Sequence, residues 1–487
     1  MYGVSTILGR FLTFLLTPLY ANILPPDELG VVATVYAYVA FLNVIFGYGM
    51  ESAYMKYRST LELGNEQETF SVPFFSILIT SLAGSALLSW QAAPLAALIN
   101  ISFSYESSIR YAAWILCLDA IAIVPFASLR MERKAKQFAA IKLANIIVNV
   151  VCNIIFLVKY RMGVEGIFLS GVISSALTLV LLAPTILRSV SVVWVRKLYR
   201  ALLQFGLPSV PAGIAAMMIQ VVDRPILEAL TDKATVGIYQ ANYRLGIFMM
   251  LIVSMVDFAW RPFFLSHAKD TDAKPLFARI LTYGILLMVG IFLLLSFFLE
   301  DIVKIPIFQG RSILPPPYWM GLPIVPVVLL AYVFLGISNN IVAGIYIEKK
   351  TKHLPVVTFI GAGVNVAANY LLIPIMGMMG AAIATLLSYA LMTIVLYFIV
   401  QGFYPVRYEF ERIAKIGIAA IAVFSLFAYI QLGSFEVAWK CILFLIFGIL
   451  MYAMKFFEPS ELKRMAGLFS WRDRGSRQMD SPPDVGS

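Results

Sequence analysis

Residues 204–243 read QFGLPSVPAGIAAMMIQVVDRPILEALTDKATVGIYQANY. Adjacent Asp223 and Arg224 lie near the end of an apolar run of membrane-spanning length, where burial of an ionisable group in hydrocarbon costs ~3 kcal/mol or more. Something must solvate the pair, so the stretch is a functional candidate by default. It also repeats the start of the chain at an offset of 207: Pro18, Gly30 and Tyr36 recur as Pro225, Gly237 and Tyr243, with Leu19/Ile226 and Val31/Ile238 between them. Two copies of one plan follow.

The composition agrees with a membrane setting. Of 487 residues 61% are hydrophobic and only 13% charged, and the mean hydropathy is +0.86, far outside the soluble range. Cys117, Cys152 and Cys441 lie in apolar runs, and His267 and His353 are the only histidines, which excludes a disulfide framework and offers no metal site. The net charge of +10 comes mostly from basic loops, as topology requires, so nucleic acid is not a partner. Apolar sequence runs from Tyr2 to Leu24, a first span rather than a cleavable signal.

About fourteen apolar runs of spanning length are found, near 2–24, 31–55, 70–90, 110–129, 138–158, 164–187, 205–230, 237–260, 276–299, 321–346, 354–373, 378–400, 411–431 and 436–456. The stretch 91–109 is too short and punctuated to cross. Basic residues concentrate after the even-numbered spans (Arg130, Arg133, Lys134 and Lys136 after the fourth, Lys349, Lys350 and Lys352 after the tenth), which puts both termini in the cytoplasm. Reporter fusions at Asp27 and Lys350 are expected to report opposite sides.

A second match supports the duplication. Asn149-Val-Val-Cys-Asn153 with Gly163 and Gly166 recurs as Asn365-Val-Ala-Ala-Asn369 with Gly377 and Gly380. Units of six helices keep their orientation, as parallel repeats about an axis along the membrane normal. The expected architecture is all-α and polytopic: a first lobe at 1–187, a basic cytoplasmic linker at 188–204, a second lobe at 205–400, a helix pair at 401–457 and a disordered tail at 458–487.

The intramembrane polar residues are the candidate site. Neighbours on a helix stand about 100° apart, so Asp223 is expected to pair with Arg244, at similar depth on the eighth span, leaving Arg224 for a ligand or as a snorkelling clamp. Arg10 and Asp119, near mid-depth of the first and fourth spans, either pair, bind substrate or carry a coupling ion. Asn145, Asn149 and Asn153 line one face of the fifth helix, echoed by Asn365 and Asn369, for interhelical hydrogen bonds or for a pore. No phosphate-binding loop, dinucleotide fingerprint or catalytic grouping is present, so the chain reads as a non-enzyme without cofactors.

YGVSTILGRFLTFLLTPLYANILPPDELGVV, FGLPSVPAGIAAMMIQVVDRPILEAL with VGIYQANYRL, and GVNVAANYLLIPIMGMMGAAIATLLSY resemble the polysaccharide-transporter branch of the multidrug/oligosaccharidyl-lipid/polysaccharide exporter superfamily, which includes the O-antigen flippases. The resemblance implies two six-helix lobes around a cavity, and translocation of a polyprenyl-diphosphate-linked oligosaccharide across the bacterial inner membrane. It also implies a few residues before Met1, and as partners membrane lipids, a coupling cation and polysaccharide-biosynthesis enzymes. Arg10, Arg224 and Arg244 are the cations for the diphosphate; Asn149, Asn153, Asn365 and Asn369 stand in for lost sugar hydration. The alternatives are an ion-coupled multidrug antiporter of the same superfamily, which calls for an acidic interior, and a membrane glycan polymerase or ligase, which calls for a large external loop.

Overall fold

A computed structural model describes residue 9 and residues 11–12, 14–308, 310–430, 436–459 and 461. Among these, 13 helices are long and apolar enough to cross a membrane, from Pro26–Thr60 to Glu436–Ala453. They match the expected second to fourteenth spans one for one. Much of the first span, Arg10 included, lies outside the described residues; its described end is the helix Leu16–Ile23. Residues 460 and 462–487 of the expected tail also lie outside them. The 91–109 stretch forms the short helix Ala92–Leu98 and a single turn at Phe103–Tyr105, and its last residues begin the helix Glu106–Met131.

The chain divides into two compact units, one of residues 1–273 and 299–406, the other of 274–298 and 407–487. In the smaller, the ninth span (Ala273–Lys304) stacks its Phe292 on Phe424 and its Phe297 on Phe427 of Phe410–Tyr429, at ring separations of 5.6 and 4.7 Å. Arg412 bonds Tyr283 Oη at 3.1 Å and Glu461 at 3.0 Å. The ninth span, expected in the second lobe, thus groups with the last two spans, held by aromatic stacking and one shared guanidinium.

The larger unit carries the residues of interest. Its second span, Pro26–Thr60, starts with proline at the first turn and Asp27 and Glu28 behind it, which suits the unpaired N–H groups and positive dipole end there. The helix is interrupted at Tyr48 and Gly49, the latter at φ 73°. Gly49 has no Cβ to obstruct the carbonyl of Gly206, which lies against it. The expected linker is partly helix: in Arg196–Gly206, Leu198 and Leu202 stand one turn apart and are fully buried with Met50, Tyr54 and Phe70, while Arg196, Lys197 and Arg200 face out. The all-α expectation misses one small feature, a two-stranded antiparallel ribbon pairing Pro306 with Ser312.

Candidate functional site

The duplicated glycines meet each other. A Cβ on Gly30 would strike the carbonyl oxygen of Lys233, and one on Gly237 that of Pro26. Pro26 and Lys233 are themselves 207 residues apart, so the contact is reciprocal, as two copies about a local twofold produce. Around it, the Thr34 hydroxyl donates to Glu228 and the Lys233 ammonium to the Asn100 carbonyl. These contacts shut the two halves against one another at the end that loop charge assigns to the outside.

The structure corrects the expected ion pair. Arg224 pairs with its neighbour Asp223 at 2.6 Å, not Asp223 with Arg244. A 100° separation takes no account of side-chain length: Val222, between Val210–Val221 and Asp223–Leu230, keeps helical φ and ψ of −68° and −23°, and the long arginine side chain bridges the angle. Pro225 has no N–H for the Val221 carbonyl, and the guanidinium curls back onto Asp223 and the Gln220 carbonyl. Its Nε donates to Gln240 at 3.0 Å and its plane lies 4.3 Å from the Tyr243 ring centroid. Tyr239 Oη donates to the other Asp223 oxygen at 2.6 Å. Arg224 is 5% exposed and Asp223 1%, so this is a sealed clamp rather than a free ligand group. Removing one partner of a buried pair strands the other's charge, at about 3–5 kcal/mol. Asp223→Ala is therefore expected to lower the thermal unfolding midpoint of the purified protein sharply, and Asp223→Asn, which keeps an acceptor, much less.

Arg244 is the cation left over. Among the described residues it enters no salt bridge and makes one hydrogen bond, to Thr17 Oγ1, long at 3.5 Å; Tyr20, Tyr36 and the already paired Arg224 are its ionisable neighbours. It is only half-buried, although the surrounding spans enclose it. Thr17, Tyr20 and Tyr36 come from the first copy and Arg244 from the second, so the group sits where the copies meet.

Beside it lies a polar cavity of about 480 Å³, lined by Tyr36, Asp119, Lys142, Asn145, Asn149 and Ser175 among others. Asn145 bonds the Ser174 carbonyl and Thr178 at 2.9 Å each, and Asn149 bonds Ser174 Oγ at 3.2 Å. These two asparagines tie the fifth and sixth spans together and also line the cavity, so both readings of the stripe hold for them. Asn153 does not line it: it is fully buried, held by the Tyr20 hydroxyl at 2.9 Å and bonded to the Asn149 carbonyl. Asn365 and Asn369 are also fully buried, against the expectation of a substrate-lining role. Asn369 donates to the Asn365 carbonyl at 2.8 Å, while its own Oδ1 finds no partner among the described residues.

That orphan has a cause in the repeat. The residue 207 positions after Tyr20 is Leu227, buried and unable to donate. The first copy therefore satisfies its second asparagine and the second copy does not. Leaving a buried acceptor unpaired costs about 1–3 kcal/mol. Tyr20→Phe should destabilise the protein by that amount in denaturant or thermal unfolding, with no loss of shape.

Lys142 escaped the sequence reading. It stands at i, i+3 and i+7 with Asn145 and Asn149, the same helix face, and that register was the available signal. Asp119 lines the same cavity with Ser175 as its donor at 2.7 Å.

Residues 19–309 match the family described as "Polysaccharide biosynthesis protein". No curated protein matches the chain. Among solved structures, the lipid II flippase MurJ in an inward closed conformation is similar at 17% identity, with a TM-score of 0.74 over 93% of this chain and 98% of that one. An inward-facing multidrug resistance MATE family transporter of the MOP superfamily is similar at 15% identity, TM-score 0.64, over 80% and 94%. An outward-facing one is similar at 12% identity, TM-score 0.57, over 82% and 94%. At such identities the likeness is one of fold. The fold is the one that these solved structures share, as the sequence resemblance implied.

Proposed function

This chain belongs to the polysaccharide biosynthesis protein family, and on that basis we propose that it flips a polyprenyl-diphosphate-linked oligosaccharide from the inner to the outer leaflet of the bacterial cytoplasmic membrane by alternating access. The observation that carries the reading is Arg244, a guanidinium with no carboxylate partner among the described residues, turned to Thr17, Tyr20 and Tyr36 where the two copies meet. A diphosphate supplies the missing negative charge, and arginine's fork suits its oxygens.

The rest of the cargo sets the other requirement. Each sugar hydroxyl taken into hydrocarbon without a partner costs about 2–7 kcal/mol, over a core ~30 Å thick. The neighbouring cavity offers tyrosine, asparagine, serine and threonine groups instead, while the lipid tail stays in the bilayer. The solved relative of this fold named as a flippase acts on lipid II, also a lipid-linked cargo.

The multidrug antiporter is the second reading. An organic cation needs an interior carboxylate free of competing cations, but Asp223 is consumed by Arg224, Asp119 shares its cavity with the Lys142 ammonium, and the group left where the copies meet is positive. Deletion of the gene separates the two. Lipid-linked oligosaccharide accumulating on the cytoplasmic leaflet supports flipping; unchanged lipid intermediates with heightened drug sensitivity support the antiporter.

A further inference from the structure

Asp119 is the intramembrane acid that the translocation argument leaves unused. It faces the 480 Å³ cavity from the fourth span and takes a 2.7 Å hydrogen bond from the Ser175 hydroxyl on one oxygen. It enters no salt bridge among the described residues. The charged and titratable groups around it are Lys142 on the fifth span, Tyr36 and Glu51 on the second and Arg130 on its own; the sixth contributes only the hydroxyls of Ser174, Ser175 and Thr178. Glu51 and Arg130 are paired with each other, at the end of the cavity that loop charge places in the cytoplasm.

What such a carboxylate takes up is limited by its surroundings. A hard metal ion wants about six oxygens, and most oxygens here are committed. Ser174 Oγ accepts from Asn149, Thr178 Oγ1 from Asn145, and Asn149 Oδ1 from Asn153. The Lys142 ammonium also occupies the same cavity and repels a second cation. A proton needs one oxygen and no shell.

We propose that Asp119 is a reversible proton-binding site, reached by water from the Glu51 and Arg130 end, whose charge state tunes the hold of Arg244 on an anion. Hydronium gives a proton to the carboxylate and leaves as water, and the local charge rises by one. Tyr36 lines the cavity together with Asp119 and also neighbours Arg244, so a change of charge at Asp119 would reach Arg244 past one side chain of a low-dielectric interior. Loss of the negative charge strengthens the attraction of Arg244 for an anion, and by linkage the anion favours the protonated acid by the same factor. This second step rests on the reading of Arg244 as the diphosphate-binding cation.

Infrared difference spectroscopy of the full chain in liposomes, stepped through pH, tests the site without any cargo. The expected result is a carboxylic-acid carbonyl band that grows as pH falls, vanishes in Asp119→Asn, persists in Asp119→Glu and ignores exchange of K⁺ for Na⁺. A band identical in Asp119→Asn, or one displaced by Na⁺, overturns the proposal. Should Asp119→Asn not fold, Ser175→Ala must shift the band, since it removes the hydrogen bond; an unmoved band overturns the assignment. Inorganic pyrophosphate then probes the link. Its affinity should fall several-fold as the band disappears with rising pH, and Asp119→Asn should keep only the dependence of the probe's own ionisation. Pyrophosphate binding that ignores the Asp119 titration overturns the link. No pyrophosphate binding with the band intact contradicts the reading of Arg244 and leaves the proton site standing.

Discussion

Arg244→Ala lowers the rate of lipid-linked oligosaccharide translocation by between about ten and a hundred fold, with the protein still folded and inserted. The estimate follows from the interaction lost: hydrogen bonds to a charged group contribute about 1.5–3 kcal/mol, and each 1.4 kcal/mol is roughly a factor of ten. Stability should hardly fall, because the side chain has only one long hydrogen bond to give up and no salt bridge among the described residues. Arg244→Lys restores the charge without the fork and should recover part of the rate. The comparison with Asp223→Ala separates the two arginine sites. That change is read mainly in unfolding, whereas Arg244→Ala is read in transport.

Gly237→Val is the other large effect, and it acts on conformation. A Cβ at Gly237 would collide with the backbone of Pro26, and a backbone carbonyl cannot swing aside as a side chain does. Overpacking of this kind costs about 1–3 kcal/mol, and here it falls only on the arrangement in which the two copies touch. A shift of ~3 kcal/mol moves a two-state equilibrium by about a hundredfold. Cysteines placed at Thr34 and Glu228, which are hydrogen-bonded here, should be joined readily by a short thiol-specific cross-linker in a background lacking Cys117, Cys152 and Cys441. Adding Gly237→Val should abolish that cross-link and stall transport. Gly30→Val, the reciprocal change, should behave alike.

Much of this architecture was legible in the sequence because a bilayer is a blunt selector: a run of about twenty apolar residues has few alternatives to a spanning helix. The duplicated glycines were legible for a similar reason, since Gly30 and Gly237 are fixed by a contact that admits no side chain. The pairing of charges was not. It turned on the reach of the Arg224 side chain back to Asp223 and the Gln220 carbonyl, which a helical-wheel count cannot represent. The place of the ninth span was hidden too, because Phe292 and Phe297 look the same in sequence whether they face lipid or Phe424 and Phe427. The asparagine stripes show a third limit. Spacing put Asn149, Asn153, Asn365 and Asn369 on matching faces, but only Asn149 lines the cavity, since what covers the other three comes from distant parts of the chain.

Flipping, on this reading, depends on a head group held by Arg244 where the two copies meet. The direct measurement uses the purified full chain in vesicles carrying polyprenyl-diphosphate oligosaccharide on the inner leaflet, with a glycosidase outside to score arrival. Cleavage by the native protein well above that of protein-free vesicles, lowered about tenfold or more in Arg244→Ala and to background in Gly237→Val, is the predicted result. Cleavage no faster than in protein-free vesicles, or an Arg244→Ala rate equal to the native one, would contradict it.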